Sequence, residues 1–197
     1  MPEFRFKTPL GEADVRQVRV GDSVLLDGVV FGVRDGNLMR IFDEKVAPPC
    51  DWRGAALLHT APNVRKIGPG KYEPVSVGTT TSMRMDRFTE ALLRDYGVRA
   101  ILGKGGLSQA STALMQKYGA VYLSVTGGAA AIQTLQIEEI EKVYWEELMP
   151  ECIWQIRFKG LGPMTVGIDA DGGNLQNEIQ MQAQQKTADL LRKMGVV

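Results

Sequence analysis

Cysteine and histidine are scarce in this chain of 197 residues, which has two cysteines and a single histidine. Cys50 and Cys152 stand far apart, with no further cysteine or histidine in a ligand-like spacing. An iron–sulfur cluster normally takes at least three thiolates, so this chain alone cannot hold one. We interpret both thiols as small buried hydrophobic groups. His59 lies within an apolar run and is interpreted as a core or strand-end residue rather than as a metal ligand.

Net charge and long apolar runs are also absent. Lys and Arg together number 23, as do Asp and Glu, so the composition predicts no nucleic-acid or anionic membrane partner. No apolar run approaches the roughly 18 residues of a membrane-spanning helix, and the first residues lack the apolar core of a signal peptide. We therefore expect a cytoplasmic protein with one domain over residues 1–197.

The first 75 residues have a β-rich and irregular pattern. Two short apolar runs, 23–26 and 29–34, are separated by Asp27-Gly28, which predicts a β-hairpin or a tight corner. Residues 55–60 predict another strand, and residues 63–74, with their Gly-Pro-Gly sequence, predict a loop.

A repeated strand–turn–helix pattern begins at residue 75. Strands are predicted at 75–77, 99–102 and 120–124, each followed by a glycine-containing turn and a helical periodicity. Such units imply parallel strands with crossover helices, and hence an α/β fold class. The second helix, 108–118, is predicted to point Ala110, Leu114 and Met115 inward. A strand pair is predicted at 153–158 and 164–169, and an amphipathic surface helix at 178–194.

The three turns after these strands carry glycine, hydroxyl and basic residues. Segment 78–84 reads GTTTSMR, segment 103–106 reads GKGG and segment 126–128 reads TGG. In open α/β sheets, ligands bind beyond the carboxyl ends of the strands, where helix N-termini present free N–H groups. If the strands are neighbours, the turns form one pocket rich in cations and hydrogen-bond donors, which suits a compact anion.

Each piece also has an ordinary structural explanation. A run of Thr and Ser before a helix is commonly an N-cap, and a lone GKGG is a weak signal. Arg34, which follows the apolar run 29–33, is by itself typical of a strand-end surface residue. The spacing of a P-loop is absent, as is GxGxxG, so nucleotide binding has little support.

The ordered series of motifs resembles the class I fumarase and tartrate dehydratase β family. Segment 75–86 is similar to the family's GPTTxxRM block, and 101–106 to its GKGG turn, with the family's spacing between the two. The similarity continues through the segments VRVGD at 18–22, FGVRD at 31–35, GGAA at 127–130, WEELMPE at 145–151, IW at 153–154, GP at 162–163 and IDADGGNL at 168–175.

This resemblance implies a swivelling β/β/α domain with a core over 8–175 and a helical tail over 176–197. It implies a partner α subunit whose cysteines hold a [4Fe–4S] cluster, and an α2β2 heterotetramer formed with that subunit. It assigns no metal ligand to this chain. By motif, it assigns dicarboxylate binding to Arg34, Thr81, Arg84 and Lys104. It also assigns proton transfer at carbon to Thr80, with Lys104 beside it in the catalytic step.

These roles agree with the chemistry of dehydration next to a carboxylate. Loss of the carbon-bound proton builds negative charge on that carboxyl group, and fixed cations stabilise the transition state more than the ground state. A threonine base becomes credible only where Lys104, Arg84 and a helix N-terminus lower the cost of an alkoxide.

Two departures from the family pattern leave the substrate open. The family's RDxxH continues here as Arg34-Asp35-Gly-Asn-Leu38, without the histidine, and the proline of GPTT is replaced by Thr79. The first hypothesis is a fumarate hydratase β subunit that forms L-malate. The alternative is an L(+)-tartrate dehydratase β subunit that forms oxaloacetate. A third hypothesis, from a different class, is a non-catalytic anion-binding module.

Overall fold

The fold combines a large mixed sheet with helices, and we describe it from a computed structural model for residues 2–195, leaving out the side chains of residues 129, 130, 188 and 189. The strands are β1 (Glu3–Lys7), β2 (Ser23–Val33), β3 (Ala56–His59), β4 (Asn63–Gly68), β5 (Lys71–Ser76), β6 (Ala100–Gly103), β7 (Val121–Ser124), β8 (Ile137–Tyr144) and β9 (Ile153–Ile168). The α-helices are α1 (Glu12–Val15), α2 (Asp35–Phe42), α3 (Thr89–Tyr96), α4 (Gln109–Tyr118) and α5 (Leu175–Lys193), with 3₁₀ helices at Ser82–Phe88, Gly128–Gln136 and Glu146–Leu148.

The main sheet has the strand order β1-β2-β3-β6-β7-β9-β8, and β2 also pairs with β9. Strands β2, β3, β6, β7 and β9 therefore form a closed circuit. β2, β3, β6 and β7 are parallel neighbours, whereas β9 runs antiparallel to both β2 and β7. The α/β class predicted from the sequence is confirmed, and the carboxyl ends of four parallel strands meet at one edge.

Alternation along the strands produces two hydrophobic cores. On β3, Leu58 contributes to the core enclosed by the circuit, whereas Leu57 belongs to the core beneath the helices. On β9, Trp154 belongs to the core enclosed by the circuit and Ile153 to the core beneath the helices. The helix-side core receives buried residues from α2, α3, α4 and the 3₁₀ helix at Ser82–Phe88. The helices are thereby fixed against the sheet near its carboxyl edge.

Two predicted breaks in the strands are wrong. Residues 23–33 form one strand, and Gly28, with φ of +98°, marks an irregularity in its pairing with β9 instead of a hairpin. Residues 153–168 are likewise one long strand that continues through Gly160. The two irregular sites face each other, because the Gly160 N–H donates to Asp27 Oδ1 at 2.8 Å. Bulges accommodate such glycines within bent strands.

The predicted loop at 63–74 is also wrong, because β4 and β5 form an antiparallel hairpin there. The strand predicted at 75–77 belongs to the end of this hairpin and lies outside the main sheet. The parallel strand whose carboxyl end lies next to the threonine segment is β3. β1, β8 and α2 were not predicted from the sequence.

The strands predicted at 99–102 and 120–124 are confirmed as β6 and β7, and the helix at 108–118 as α4 with Ser108 as its N-cap. Its inner face differs from the prediction. Met115 is buried, but Ala110 is exposed and Leu114 only half-buried. Ser111 and Thr112 face inward instead, because they hydrogen-bond with polar groups of neighbouring segments.

The tail forms α5, whose apolar side chains at 179, 181 and 190 are exposed. Among residues 2–195, no helix combines the length and the apolar content that crossing a membrane requires.

Candidate functional site

Each of the four parallel strands delivers a polar segment to the same edge of the sheet. Arg34 directly follows β2, Thr60 follows β3, Lys104 follows β6 and Thr126 comes shortly after β7. Ligands of α/β proteins bind beyond this edge. The convergence of turns predicted from the sequence is confirmed, although the threonine segment reaches the edge from the β4–β5 hairpin.

Backbone hydrogen bonds tie the threonine segment to the lysine turn. The Thr80 N–H donates to the His59 carbonyl at 2.7 Å, and the Ser82 N–H donates to the Lys104 carbonyl at 2.9 Å. A longer contact of 3.5 Å joins the Lys104 N–H to the Thr80 carbonyl. Thr81 pairs with Lys104 as in a parallel ladder. The two residues that carry the predicted proton-transfer chemistry are therefore held on adjoining strands of backbone.

The third turn contacts both of the others. The Thr79 hydroxyl donates to the Thr126 carbonyl at 3.1 Å. A Cβ built on Gly127 would lie 3.8 Å from Lys104 Cδ and 4.0 Å from its Nζ, so the lysine side chain lies against this glycine. Thr79, which replaces the family's proline, thus links two turns through its hydroxyl.

The two arginines meet around Asp35. Arg84 Nη2 lies 2.9 Å from Asp35 Oδ2, and Arg34 Nε lies 3.5 Å from the same oxygen. Arg34 Nε is also 3.2 Å from Glu151 Oε1. All three are ion pairs without the alignment of hydrogen bonds, because neither Arg34 Nε nor Asp35 Oδ2 has a hydrogen-bond partner. The structure therefore brings Arg34 and Arg84 together beside two carboxylates, Asp35 and Glu151, that sequence reasoning missed.

Residue 38, where the family has histidine, belongs to the core of this protein. Leu38 is fully buried on α2 beneath the site edge. Polar support for the turn comes from Asn37, whose Oδ1 accepts from the Arg34 N–H at 3.3 Å and whose amide donates to the Glu151 carbonyl at 2.8 Å. The Gly36 N–H donates to Glu151 Oε2 at 2.7 Å. The arginine turn is thus fixed without a histidine.

Among residues 2–195, the uncommitted polar groups at this edge include the Thr80 hydroxyl, the Lys104 ammonium and the Thr81 hydroxyl. Within residues 2–195, neither the Thr80 hydroxyl nor the Lys104 ammonium forms a hydrogen bond or an ion pair. The helix-cap explanation for the threonine run is not supported, because the N-cap of the 3₁₀ helix is Thr81 and its side chain makes no capping bond. Both Thr80 and Lys104 are half-buried. Groups with this exposure and no protein partner are free to hydrogen-bond with water or with a bound ligand.

A buried polar cluster lies beneath these turns. His59 Nδ1 is 2.9 Å from Ser82 Oγ, and the Tyr122 hydroxyl donates to the same oxygen at 3.0 Å. Burial lowers the pKa of His59 to about 4 and raises the pKa of Tyr122 to about 12, so both side chains are neutral near pH 7. His59 is a core residue at a strand end, as predicted. Its link to Ser82 was not predicted, because it joins segments distant in sequence.

Neither cysteine is suited to bind a metal. Cys50 is half-buried and Cys152 is buried, and burial raises their thiol pKa values to about 11 and about 12. Protonated thiols are poor ligands, since the thiolate is the form that binds metals. Within the described chain, no three His, Cys, Asp or Glu side chains come close enough together to hold a metal ion. These residues do not fit an iron–sulfur cluster.

The fold and this edge define an α/β domain with a cation-rich site that has hydroxyl and ammonium groups free to meet an anion. A family model described as Fumarase C-terminus matches residues 3–179. The chain belongs to this family.

Similarity to individual proteins extends over most of the chain. The L(+)-tartrate dehydratase subunit beta of Escherichia coli strain K12 is 41% identical over 169 residues, covering 85% of this chain and 84% of that one. A Methanocaldococcus jannaschii protein provisionally given the same name is 31% identical over 96% of this chain and 98% of its own length. A Geobacillus stearothermophilus protein provisionally named fumarate hydratase class I is 31% identical over 91% of this chain, but only 35% of its own length is matched.

Proposed function

We propose that this chain is the β subunit of an iron–sulfur hydro-lyase that acts on a four-carbon dicarboxylate. The observation that carries the proposal is the pairing of an uncommitted Thr80 hydroxyl with an uncommitted Lys104 ammonium on hydrogen-bonded turns. Arg34 and Arg84, which meet around Asp35, lie on the neighbouring segments. Family membership and the names of the relatives supply the reaction class.

Each of the five site residues has its own role in the proposed reaction. Arg34, Arg84 and Thr81 bind and orient the substrate carboxylates, since guanidinium groups match carboxylate geometry. In the direction of dehydration, Thr80 first loses its hydroxyl proton to solvent, and the resulting alkoxide takes the proton from the carbon next to a carboxylate and becomes a neutral hydroxyl again. Lys104 stabilises the alkoxide before the transfer and the negative charge that passes to the substrate carboxyl group in the transition state.

The leaving hydroxyl requires a Lewis acid, for which residues 2–195 offer no set of metal ligands. We place that function on a [4Fe–4S] cluster held by a partner α subunit, which would polarise the hydroxyl when bound. Two observations support a partner: relatives are named as beta subunits, and the fumarate hydratase relative extends well beyond the matched segment. An α2β2 assembly in the cytoplasm remains part of this proposal.

Two substrates are candidates within this reaction class. L(+)-tartrate is favoured by the 41% identity to a protein named as a tartrate dehydratase subunit, against 31% to the one named as a fumarate hydratase. Fumarate and L-malate are the pair that the sequence motifs predict first. The shared cationic clamp serves both, so kcat/KM for tartrate, malate and fumarate should be measured side by side on the assembled enzyme.

The decisive variant for the site is Thr80→Val. As the proton-transfer group, Thr80 should lose about 10²- to 10⁴-fold in kcat when its hydroxyl is removed, the range typical of general acid–base groups. A dicarboxylate inhibitor should still bind, because the arginines and Lys104 are untouched. Thr80→Ser should retain measurable turnover.

Solvent exchange provides the readout. In deuterium oxide, the assembled enzyme should exchange the substrate proton next to the carboxylate, and Thr80→Val should not. Thr89→Val, which removes a buried hydroxyl from α3, is the matched control and should exchange normally. Normal exchange in Thr80→Val would show that the threonine is structural. An assembled wild type that binds dicarboxylates without turning them over would favour the non-catalytic module.

A further inference from the structure

A continuous chain of hydrogen bonds runs beneath the proposed site. The Gly106 N–H donates to the Tyr122 hydroxyl at 3.3 Å, and Tyr122 donates to Ser82 Oγ at 3.0 Å. Ser82 Oγ stands 2.9 Å from His59 Nδ1. Ser82 and Tyr122 are fully buried and His59 is 1% exposed. The chain therefore joins β3, the threonine segment, β7 and the lysine turn inside the protein.

The proton positions follow from counting donors and acceptors. With Tyr122 donating to Ser82, the serine hydroxyl is free to donate to His59 Nδ1, and the ring proton is on Nε2. Of the polar side-chain atoms of His59, Ser82 and Tyr122, only His59 Nε2 then lacks a partner among the described residues. If His59 Nδ1–H donated to Ser82 and Ser82 donated to Tyr122, both the tyrosine proton and the lone pair on His59 Nε2 would be unsatisfied. The first arrangement is therefore favoured.

The surrounding backbone is shaped to hold this chain. A Cβ at Gly103 would stand 2.0 Å from Ser82 Oγ, and one at Gly167 would stand 3.1 Å from Tyr122 Cδ1. Gly103 thus leaves the space that the Ser82 hydroxyl occupies, whereas a Cβ at Gly167 would overlap Ser124 Oγ at 2.4 Å and only crowd the tyrosine ring.

The ends of the chain coincide with the residues of the proposed chemistry. The His59 carbonyl accepts from the Thr80 N–H, and Ser82 donates through its N–H to the Lys104 carbonyl. Gly106, at the other end, closes the same turn that presents Lys104. A displacement within the chain would therefore move the Thr80 hydroxyl relative to the Lys104 ammonium.

We propose that His59, Ser82 and Tyr122 are positioning residues that set the spacing between Thr80 and Lys104. The inference rests on the proposed function, and it assigns to these buried side chains no contact with the substrate. Nonpolar residues of similar size would fill the same core without an unpartnered buried donor, which is unfavourable for stability. The retained polar groups are explained by the orientation that their directional bonds impose.

Ser82→Ala and Tyr122→Phe test the chain in the assembled enzyme. Each should lower kcat about 10- to 100-fold, because small displacements of reacting groups have effects of that order. KM should stay within about twofold, since the binding arginines are unaffected. Thr89→Val again serves as the control, with unchanged kcat. Assays well below the unfolding temperature of each variant separate positioning from loss of folded protein.

His59 allows a test by conservative rescue. His59→Asn places an amide oxygen close to the position of Nδ1 and can still accept the serine proton, whereas His59→Leu cannot. The asparagine variant should therefore retain most of kcat and the leucine variant should lose it. Equal loss in both variants would contradict a role through the Nδ1 contact.

Amide hydrogen exchange adds a readout that needs no turnover. In the full chain, Tyr122→Phe and Ser82→Ala should speed exchange at the Gly106 and Thr80 amides, while Thr89→Val should not. Unchanged exchange together with normal kcat overturns the inference. Loss of kcat in Thr80→Val with normal kcat in the chain variants overturns the positioning role alone. Normal turnover in Thr80→Val and Lys104→Ala would instead overturn the proposed site.

Discussion

Lowering the pH should destabilise this protein through its single histidine. His59 is 1% exposed, and burial alone lowers its pKa from the ordinary 6.5 to about 4. Its Nδ1 contacts Ser82 Oγ, and no charged side chain contributes to the shift. Protonation would place a cation in the helix-side core beside the neutral Tyr122 hydroxyl. Folding therefore opposes protonation of this ring.

The sign and size follow from proton linkage. In the unfolded chain His59 binds a proton as the pH falls below about 6.5, whereas in the folded chain it stays neutral down to about 4. Its contribution to the free energy of unfolding is complete above pH 6.5 and is lost as the pH falls through this window. At about 1.4 kcal/mol per pH unit, the loss by pH 4 amounts to about 3 kcal/mol.

Urea unfolding at a series of pH values measures this loss. Because carboxylates titrate in the same window, the quantity to follow is the difference between wild type and His59→Asn, which lacks the titrating ring. That difference should change by about 1.4 kcal/mol per pH unit below pH 6 and be constant above pH 7. The chain has one histidine, so its imidazole NMR signal gives the folded-state pKa directly.

A difference independent of pH between 4 and 7 would refute the argument. So would an imidazole signal that titrates near 6.5 in the folded protein. Either result would mean that the ring is hydrated or can move to solvent.

Three further predictions concern the site and the partner. Lys104→Ala and Arg84→Ala should each lower kcat/KM of the assembled enzyme about 10²-fold or more, as for loss of one preorganised donor. Steady-state kinetics measure the loss, and Arg87→Ala, whose partner is a surface carboxylate, is the control that should leave kcat/KM unchanged. Gly103→Ala should lower the free energy of unfolding, measured by urea titration, by about 1–3 kcal/mol, because the new Cβ overlaps the buried Ser82 hydroxyl. Gly78→Ala is the control, and it should leave the free energy of unfolding nearly unchanged because no atom lies near its Cβ. The isolated chain should be colourless and inactive until a cluster-loaded partner is added, and a cluster spectrum from the chain alone would contradict the half-site proposal.

The sequence predicted the turns of the site better than the sheet that supports them. Lys104 and the threonine run stand out because glycine and hydroxyl residues after an apolar strand are a local pattern. Their convergence also followed from a general property of parallel sheets. Asp35 and Glu151 were missed because they meet Arg84 and Arg34 across 49 and 117 residues of chain, respectively, which local pattern does not reveal.

The errors in the fold have a common cause. Gly28 and Gly160 look like turn residues in sequence, but each lies opposite the other's strand and is absorbed as an irregularity in a continuous ladder. Which outcome occurs depends on the partner strand, which local pattern cannot identify. The buried link from His59 to Tyr122 was unpredictable for the same reason, since its hydrogen bonds join β3 to β7 through Ser82.

The distribution of charge at the edge explains why both arginines and a lysine are needed. Three cations, Arg34, Arg84 and Lys104, face two carboxylates, Asp35 and Glu151, which leaves one net positive charge in this group. The carboxylates lie within ion-pair distance of the arginines, so they offset part of the arginines' charge. Lys104 has no carboxylate within ion-pair distance in the described chain, and its full charge stands beside the Thr80 segment. Guanidinium groups suit recognition of the carboxylates already present in the substrate, whereas an uncompensated ammonium suits charge that appears only during proton transfer.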